Sequence, residues 1–199
     1  MLNDRNWTVL FVGGISGAGK SSFAYELGRH YGVKVLEMDD LHAAIKSVTT
    51  IETFPLIHYW SSGVDWKDIG VNENVDWLIG VSKEMIPAIN VVVERHLEDS
   101  LPVIIEGDFI HPETAVSFNN PAIKALFVHE PHKEQLLKNY NDREGGALQH
   151  YRADVSIAYG KWQAEICQRL GIDVIEARPW DTAVNRAIAC LLANSADQH

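Results

Sequence analysis

The stretch VGGISGAGKSS, residues 12–22, decides the fold that this sequence predicts. Its central part, GISGAGKS at residues 14–21, matches the pattern G-x-x-x-x-G-K-[S/T] at every fixed position. An apolar run at residues 8–12 precedes it, and an amphipathic helical pattern over residues 20–31 follows it. A strand, a glycine-rich loop and a helix in this order predict a phosphate-binding loop, or P-loop.

The residue types of this loop suit the binding of a nucleoside triphosphate. Glycines let successive backbone N–H groups turn toward a phosphate, and the following helix adds the positive end of its dipole. Lys20 is expected to reach the β- and γ-phosphates, Ser21 to hold Mg²⁺ and Ser22 to contact the α-phosphate. A turn without a ligand needs fewer glycines, and a dinucleotide-binding loop lacks the Gly-Lys-Ser ending. The predicted nucleotide-binding residues are Gly14, Ser16, Gly17, Ala18, Gly19, Lys20, Ser21 and Ser22.

Composition restricts the classes of partner. The chain has 199 residues, with 17 Lys and Arg against 27 Asp and Glu, for a net charge of −10. This balance argues against non-specific binding of nucleic acid or anionic membranes. Two cysteines make no disulfide framework, and no apolar run reaches the length of a membrane span. We expect one cytoplasmic domain over residues 1–199 that acts on a small molecule as a monomer or homodimer.

Alternating apolar runs and amphipathic patterns predict an α/β fold. The runs show no polar alternation, which is typical of strands covered on both faces of a parallel sheet. They occupy residues 8–12, 33–36, 102–105, 125–128 and 173–175. Helical patterns occupy residues 20–31, 73–98, 132–141, 154–170 and 182–194, and Pro87 is expected to kink or split the second. This order predicts a doubly wound parallel sheet with right-handed crossovers.

Two segments do not fit simple strand–helix alternation. Residues 41–100 are too long for one crossover, and we interpret them as a helical insertion that binds the second substrate. Trp60, Trp66 and Trp77 of this insertion either line that site or fill a small helical core. Residues 141–153 place Gly145 and Gly146 between two arginines, a pattern that predicts a mobile lid.

Acidic residues follow the second predicted strand, in LEMDDLH at residues 36–42. Ligands of open α/β sheets bind beyond the carboxyl ends of the strands, so Asp39 and Asp40 are expected to face the γ-phosphate. Either carboxylate is a candidate for the general base that accepts the proton of an attacking hydroxyl, with Asp39 favoured. The alternative is that Asp40 caps the next helix. His42 is a candidate for the acceptor pocket.

Further candidates lie near the other strand ends. In VIIEGDFIHP, residues 103–112, Glu106 is expected to hold Mg²⁺ through water or to contact the acceptor, and Asp108 to bind the acceptor. The alternative is that Glu106 and Asp108 are acidic residues of a loop that face solvent and have no role in the site. Arg143 of the lid is a candidate to supply charge to the transferred phosphoryl group. After the last strand, Arg178 and Pro179 are expected beside the adenine, unless Pro179 merely starts the last helix.

The order of these motifs resembles the nucleoside/nucleotide kinase-like group of P-loop phosphotransferases. Within it, GGISGAGKSSFAYEL and VVVERHLEDSLPVIIEGDFIHP look most like the 2-phosphoglycerate kinase-like proteins. The resemblance implies a P-loop NTPase fold of three α/β/α layers, with a five-stranded parallel sheet in the order 2-3-1-4-5. It also implies MgATP as donor, a small-molecule acceptor served by Asp39 or Asp40, a lid containing Arg143, and an arginine such as Arg95 on the helix before IEG.

The sequence leaves the acceptor open. Residues 38–100 contain eleven acidic and four basic residues, an unfavourable setting for a phosphorylated acid. A neutral or cationic hydroxyl compound, such as a sugar, nucleoside or aminocyclitol, fits this segment at least as well. The alternatives are a nucleoside or nucleotide kinase and a partner-regulated ATPase. The absence of an Asn/Thr-Lys-x-Asp motif argues against a GTP-dependent switch.

Overall fold

A computed structural model describes residues 5–61, 63–65 and 68–193, and of Trp60 it describes only the backbone. Trp66 therefore lies outside the described residues. The centre of the protein is a five-stranded parallel sheet in the order β2-β3-β1-β4-β5, which confirms the predicted fold. The strands are β1 Val9–Gly14, β2 Lys34–Glu37, β3 Val103–Gly107, β4 Ile123–His129 and β5 Asp173–Glu176. Each of them overlaps one of the five apolar runs.

Eight α-helices connect and cover the described strands. They are α1 Lys20–Tyr31, α2 Met38–Val48, α3 Val71–Glu84, α4 Ile86–Glu98, α5 Pro112–Ser117, α6 Lys133–Glu144, α7 His150–Leu170 and α8 Trp180–Ala193. The pattern over residues 73–98 is split into α3 and α4, with Pro87 in the first turn of α4, where its missing N–H costs nothing. A short 3₁₀ turn, Tyr59–Ser61, interrupts the irregular chain between α2 and α3.

The helices form a layer on each face of the sheet. Leu10 and Val12 of β1 pack in one apolar cluster, together with Phe23 and Leu27 of α1. Val9 and Phe11 point to the opposite face. There they pack with buried side chains of the 41–100 segment, which are Ile57, Trp77, Val81, Met85, Ile89 and Val93. This insertion is therefore built onto the sheet and shares its core.

The 141–153 segment is more helical than the sequence predicted. Helix α6 continues to Glu144 and α7 begins at His150, so only residues 145–149 form a loop. The loop begins at Gly145, whose φ of 68° lies in the left-handed region that favours glycine. Arg143 lies in the last turn of α6 and Arg152 in the first turn of α7. The predicted lid is thus two helix ends joined by a short connection.

The register of the sheet brings the candidate residues together. Glu106 of β3 pairs with Val12 of β1 on one side and with Glu37 of β2 on the other. The P-loop leaves β1 at the same edge, so it meets the acidic ends of the neighbouring strands there. Among the described residues, no helix is both long and apolar enough to cross a bilayer.

Candidate functional site

The P-loop is packed tightly from two sides. Gly17 and Gly19 have φ angles of 81° and 89°. A Cβ on Gly17 would meet the ring of Tyr140, and a Cβ on Gly19 would lie 2.7 Å from the ring of Trp180. The Tyr140 hydroxyl donates to the carbonyl of Ser16 at 2.8 Å, and Asn139 donates to the carbonyl of Gly17 at 2.8 Å. Helix α6 therefore fixes the backbone that would surround a phosphate.

A cleft of about 520 Å³ opens over the P-loop and the first turn of α1. Residues 17–22 form its floor, and Arg143, Arg178 and Trp180 contribute to its walls. We call this space the P-loop cleft. It contains all but two of the predicted nucleotide-binding residues of the loop. Gly14 ends β1 beneath it, and Ser16 faces a second cavity.

Lys20 lies at one end of the P-loop cleft and forms an ion pair with Asp108, with only 12% of its side chain exposed. Burial by itself lowers the pKa of Lys20, but Asp108, Glu106 and Asp39 together raise this pKa above its ordinary value. The ammonium group is therefore charged at neutral pH. This charge suits the stabilisation of phosphate oxygens.

Glu106 and Ser21 form the predicted metal-binding pair. Glu106 is 3% exposed, and the hydroxyl of Ser21 hydrogen-bonds its carboxylate. Burial raises the pKa of Glu106, and its Oε2 atom is buried without a hydrogen-bond partner among the described residues. No cluster of three or more His, Cys, Asp or Glu in the described chain would hold a metal alone. A hydroxyl and one unsatisfied carboxylate fit a hydrated Mg²⁺ that also binds substrate phosphates.

A second cavity of about 500 Å³ adjoins the P-loop on the side away from α8. Four aromatic side chains contribute to its wall, and we call it the aromatic cavity. These rings belong to Trp77, Phe109, Tyr151 and Tyr159. Polar groups at its rim come from Ser16, Asn74, Asp108, Gln149 and Arg152. Because Asp108 lines this cavity and also contacts Lys20, the two spaces meet at that ion pair.

Arg152 is the lid arginine that reaches the P-loop. It donates to Ser16 Oγ at 2.9 Å, and its Nη1 bonds both carboxylate oxygens of Glu144 at 2.9 and 3.1 Å. Its guanidinium also lies 4.4 Å from the centre of the Tyr140 ring. Arg143, the arginine favoured by the sequence, faces the P-loop cleft and is 53% exposed. It bonds the carboxylate of Glu144, and its guanidinium lies 5.8 Å from the centre of the Tyr140 ring.

Asp39 and Asp40 lie in the first turn of α2, and both side chains are exposed. Although Asp39 is exposed as a residue, its carboxyl is partly shielded from solvent by its surroundings. This partial desolvation and the nearby Asp108 raise the pKa of Asp39, while Lys20 lowers it. Neither aspartate lines the P-loop cleft or the aromatic cavity. Asp40 does not cap α2, because the N-cap residue is Glu37 and no side chain makes a capping bond there.

Arg178 lies on the wall of the P-loop cleft, whereas His42 lines neither of the two spaces. The His42 ring packs 5.0 Å from that of Phe109, and burial lowers the pKa of His42. Arg178 donates to the buried carboxylate of Glu130 at 3.2 Å, and its guanidinium lies 5.8 Å from the Trp180 ring. Pro179 is exposed and directly precedes α8, in keeping with the interpretation that it starts the last helix. A position of Arg178 and Pro179 beside an adenine stays a prediction.

Arg95 is not brought together with the other predicted residues, so its assignment to the acceptor site is corrected. Its side chain is 71% exposed and pairs with Asp99 one turn further along α4, at 2.9 Å. The buried face of this helix is formed by Ile89 and Val93. Position 95 is about half a turn from both, so it points to solvent.

Several residues of the site carried no sequence signal. Asn139 and Tyr140 fall in an ordinary amphipathic pattern, and only the packing of α6 on the P-loop shows their role. Asn74 and Tyr151 come from distant helices, and the amide of Asn74 donates to the hydroxyl of Tyr151.

Comparison with known proteins supports the resemblance seen in the motifs. No family model matches the chain. It is 28% identical over 109 residues to the 2-phosphoglycerate kinase of Pyrococcus horikoshii, covering 52% of this chain and 36% of that protein. It is 27% identical over 145 residues to the 2-phosphoglycerate kinase of Methanococcus vannielii, covering 65% of this chain and 46% of that protein. The chain spans between about a third and just under half of the length of the curated relatives that it matches.

Solved structures confirm the fold over nearly the whole chain. A gluconokinase from Sinorhizobium meliloti superimposes with a TM-score of 0.56 at 18% identity, covering 98% of this chain and 97% of the other. A shikimate kinase from Bacteroides thetaiotaomicron gives a TM-score of 0.50 at 15% identity, covering 92% and 98%. At these identities the likeness concerns the fold alone. The chain is thus similar in sequence to proteins named 2-phosphoglycerate kinase and has the fold of P-loop small-molecule kinases, as its motifs predicted.

Proposed function

We propose that this protein is an ATP-dependent phosphotransferase that moves the γ-phosphate of MgATP to a hydroxyl group of a small molecule. The observation that carries the proposal is the meeting of the P-loop cleft and the aromatic cavity at the Lys20–Asp108 pair. A hydrolase needs a place for water beside the γ-phosphate, whereas a kinase needs a second cavity of substrate size there. The relatives named 2-phosphoglycerate kinase support the same class.

On the donor side, the backbone of residues 14–22 is proposed to bind the triphosphate. Lys20 exchanges its contact with Asp108 for the β- and γ-phosphate oxygens, where its charge offsets the charge that develops in the transition state. Ser21 and Glu106 would hold Mg²⁺, which adds positive charge at the same oxygens when bound. Arg178 and Trp180 are proposed to border the adenine, and Arg143 the outer phosphates.

On the acceptor side, a hydroxyl in the aromatic cavity is proposed to attack the γ-phosphorus in line. The new O–P bond forms as the bond to the bridging oxygen of ADP breaks, and that oxygen keeps the electron pair. A carboxylate takes the hydroxyl proton. We assign this role to Asp108, since it lines the aromatic cavity and pairs with Lys20 of the P-loop cleft, while Asp39 and Asp40 remain the candidates that the sequence favoured.

Two other functions are compatible with a P-loop. A nucleoside or nucleotide kinase would use the same donor side and would place a base against the rings of the aromatic cavity. A partner-regulated ATPase would release phosphate and would leave that cavity without a substrate. The same transfer assay separates all three.

The test is to incubate the protein with γ-labelled ATP and Mg²⁺ in the presence of pooled hydroxyl metabolites. The pools contain 2-phosphoglycerate, nucleosides, nucleotides, sugars and aminocyclitols. We expect the label in an organic product in at least one pool. Label that appears only as inorganic phosphate, at a rate that no pool changes, contradicts the kinase and favours the ATPase.

A pair of lysine variants ties this activity to the P-loop. Lys20→Met is expected to lower kcat/KM by about 10³-fold or more, because a preorganised charge at the phosphoryl oxygens is lost. Lys34→Met is the matched control, since Lys34 is exposed at the start of β2. Near-normal transfer by Lys20→Met would overturn the assignment of the donor site.

A further inference from the structure

We propose that the aromatic cavity binds an uncharged, polyhydroxylated ring compound, of the sugar or nucleoside type, and not a phosphorylated acid. This inference rests on the proposed function, because it names the acceptor class of that same site. It departs from the names of the curated relatives, and it follows from the walls and the charges of the cavity.

The first observation is the chemistry of the walls. Trp77 and Phe109 meet edge to face, with ring centres 6.3 Å apart, and Trp77 stacks on Tyr59 at 5.5 Å. Tyr159 stacks on Trp162 behind the opposite wall, at 5.5 Å. Rings held in this way provide flat, fixed apolar surfaces. Such surfaces suit the face of a nucleobase or of a sugar ring, and they offer little to a short, highly charged acid.

The second observation is that the cation on the wall is already compensated. Among the described residues that line the cavity, Arg152 alone carries a positive charge. Its Nη1 bonds both oxygens of Glu144 and the Gln149 side chain, and its Nη2 bonds Ser16. Hydrogen bonds from Gln149, Arg143 and Arg152 lower the pKa of Glu144 to about 2, so this carboxylate is ionised at neutral pH.

The third observation is that the other charged residue on the cavity wall, Asp108, is negative. Asp108 lies on the wall of the cavity, and Lys20, its partner, is committed to the phosphates of the nucleotide in the proposed reaction. A phosphorylated acid brings a phosphate of charge about −1.5 to −2 and a carboxylate. Placing these groups beside Asp108 would leave buried anions without a partner, which is strongly unfavourable.

The polar groups of the cavity are mostly neutral. The amide of Asn74 donates to the Tyr151 hydroxyl, which in turn donates to the carbonyl of Ile69, so the two side chains hold each other in place. Gln149 and Ser156 add an amide and a hydroxyl. Amides and hydroxyls are the groups that recognise the hydroxyls of an uncharged ligand.

The experiment compares matched sets of acceptors in the γ-label transfer assay. Each set contains an uncharged compound and its anionic derivatives: glucose with gluconate and glucose 6-phosphate, uridine with uridine monophosphate, and glycerol with 2-phosphoglycerate. We expect kcat/KM for the uncharged ring compound to exceed that of its anionic derivatives by about ten-fold or more. The glucose and uridine sets distinguish a sugar from a nucleoside. A preference for the anionic members, 2-phosphoglycerate included, would overturn the inference.

Calorimetric binding in the presence of a non-hydrolysable ATP analogue separates this inference from the proposed function. Binding of an uncharged member without any phosphoryl transfer would support the acceptor class and contradict the kinase. Phosphoryl transfer confined to anionic acceptors would support the kinase and contradict the proposed acceptor class. If no uncharged member either binds or receives phosphate, the inference is wrong.

A variant of the wall provides a second readout. Phe109→Ala removes one ring face and is expected to raise KM for the uncharged acceptor by about ten-fold, with KM for ATP changed by less than about two-fold. Val91→Ala, on the exposed face of α4 with 66% of Val91 accessible, is the matched control. Equal effects of Phe109→Ala on both KM values would indicate a general loss of structure and would count against the wall as the binding surface.

Discussion

The P-loop cleft and the aromatic cavity have similar volumes, about 520 and 500 Å³, but they are built in different ways. The floor of the cleft is a continuous segment, residues 17–22, at the start of one helix. The walls of the cavity come from α3, the loop after β3 and α7, which are far apart in the chain. A site made of consecutive backbone groups leaves a motif, whereas a site made of side chains from distant helices leaves none.

The comparison also concerns charge. The cleft contains Lys20, the start of a helix and two arginines, which suits a triphosphate. The cavity contains aromatic rings, one carboxylate and an arginine that is already paired. Two substrates of different charge are therefore expected on the two sides of the Lys20–Asp108 pair. The following predictions test this division, in order of decreasing effect.

The largest effect is expected at the boundary itself. Asp108→Asn should lower kcat by about 10²–10⁴-fold, with little change in KM for ATP, because the acceptor proton loses its base. Asp39→Asn and Asp40→Asn are the matched controls and should each cost less than about ten-fold. Steady-state transfer kinetics of the three variants decide the matter. A loss in Asp39→Asn that equals or exceeds that of Asp108→Asn would restore the assignment favoured by the sequence.

Glu106→Gln is expected to weaken metal binding and, at the same time, to raise the stability of the protein without ligands. The apparent affinity for Mg²⁺ should fall by about 10–100-fold, as measured by transfer rate against Mg²⁺ concentration. In the absence of ligands the same change should raise Tm at neutral pH, by no more than about 4 °C, because an unfavourable buried charge is removed. Glu94→Gln, the same change at an exposed glutamate of α4, serves as the matched control away from the metal pair.

The pH dependence of this stability has a definite sign. Burial raises the pKa of Glu106 above its ordinary value of 4.5, so the folded state binds the proton more tightly than the unfolded state. The buried negative charge of Glu106 therefore destabilises the folded state at neutral pH. This destabilisation is lost as the pH falls through the pKa that Glu106 has in the folded state, toward 4.5. The difference in Tm between Glu106→Gln and the parent protein should shrink over this range. A difference that grows on acidification would contradict the burial of a charged Glu106.

The two lid arginines should differ. Arg152→Gln loses the contact with Ser16 and the Tyr140 ring, and we expect kcat to fall by about 10²-fold. Arg143→Gln should cost less than about ten-fold, because Arg143 forms an exposed ion pair with the adjacent Glu144 and lies farther from the Tyr140 ring than Arg152 does. Transfer assays at saturating ATP compare the two directly. A larger loss for Arg143→Gln would make it the principal lid arginine, as the sequence suggested.

The smallest effect is expected beneath the P-loop. Tyr140→Phe removes the hydrogen bonds from the hydroxyl to the Ser16 carbonyl and to Ser156, each of them 2.8 Å long. The loss should lower the free energy of unfolding by about 1–3 kcal/mol and raise KM for ATP a few-fold. Chemical denaturation and ATP kinetics measure the two effects. Tyr25→Phe is the matched comparison: it removes a hydroxyl that bonds Glu37 at an exposed position of α1, and this loss should cost less than the loss at Tyr140.

Most of the fold could be predicted, because its signals are local. Strand β1 is apolar along its whole length and β3 is apolar up to Glu106, and Pro87 marks the break between α3 and α4. The strand order came from the resemblance of the motifs rather than from the strands themselves. The helical ends of the lid were missed, because the glycine pair at 145–146 suggested a longer loop than residues 145–149 provide.

By itself the sequence determined the P-loop, the parallel α/β class and the acids beyond the strand ends, because each depends on residues that are neighbours in the chain. Only the tertiary structure decided which of these acids lines the aromatic cavity and pairs with Lys20, Asp108 rather than Asp39 or Asp40. It also decided which arginine bonds Ser16 of the loop, Arg152 rather than Arg143. The tertiary structure also shows that Arg95 lies on an exposed helix face, outside the site. The physical reason is that helix packing sets side-chain direction and burial across large separations in sequence, and no local pattern contains that information.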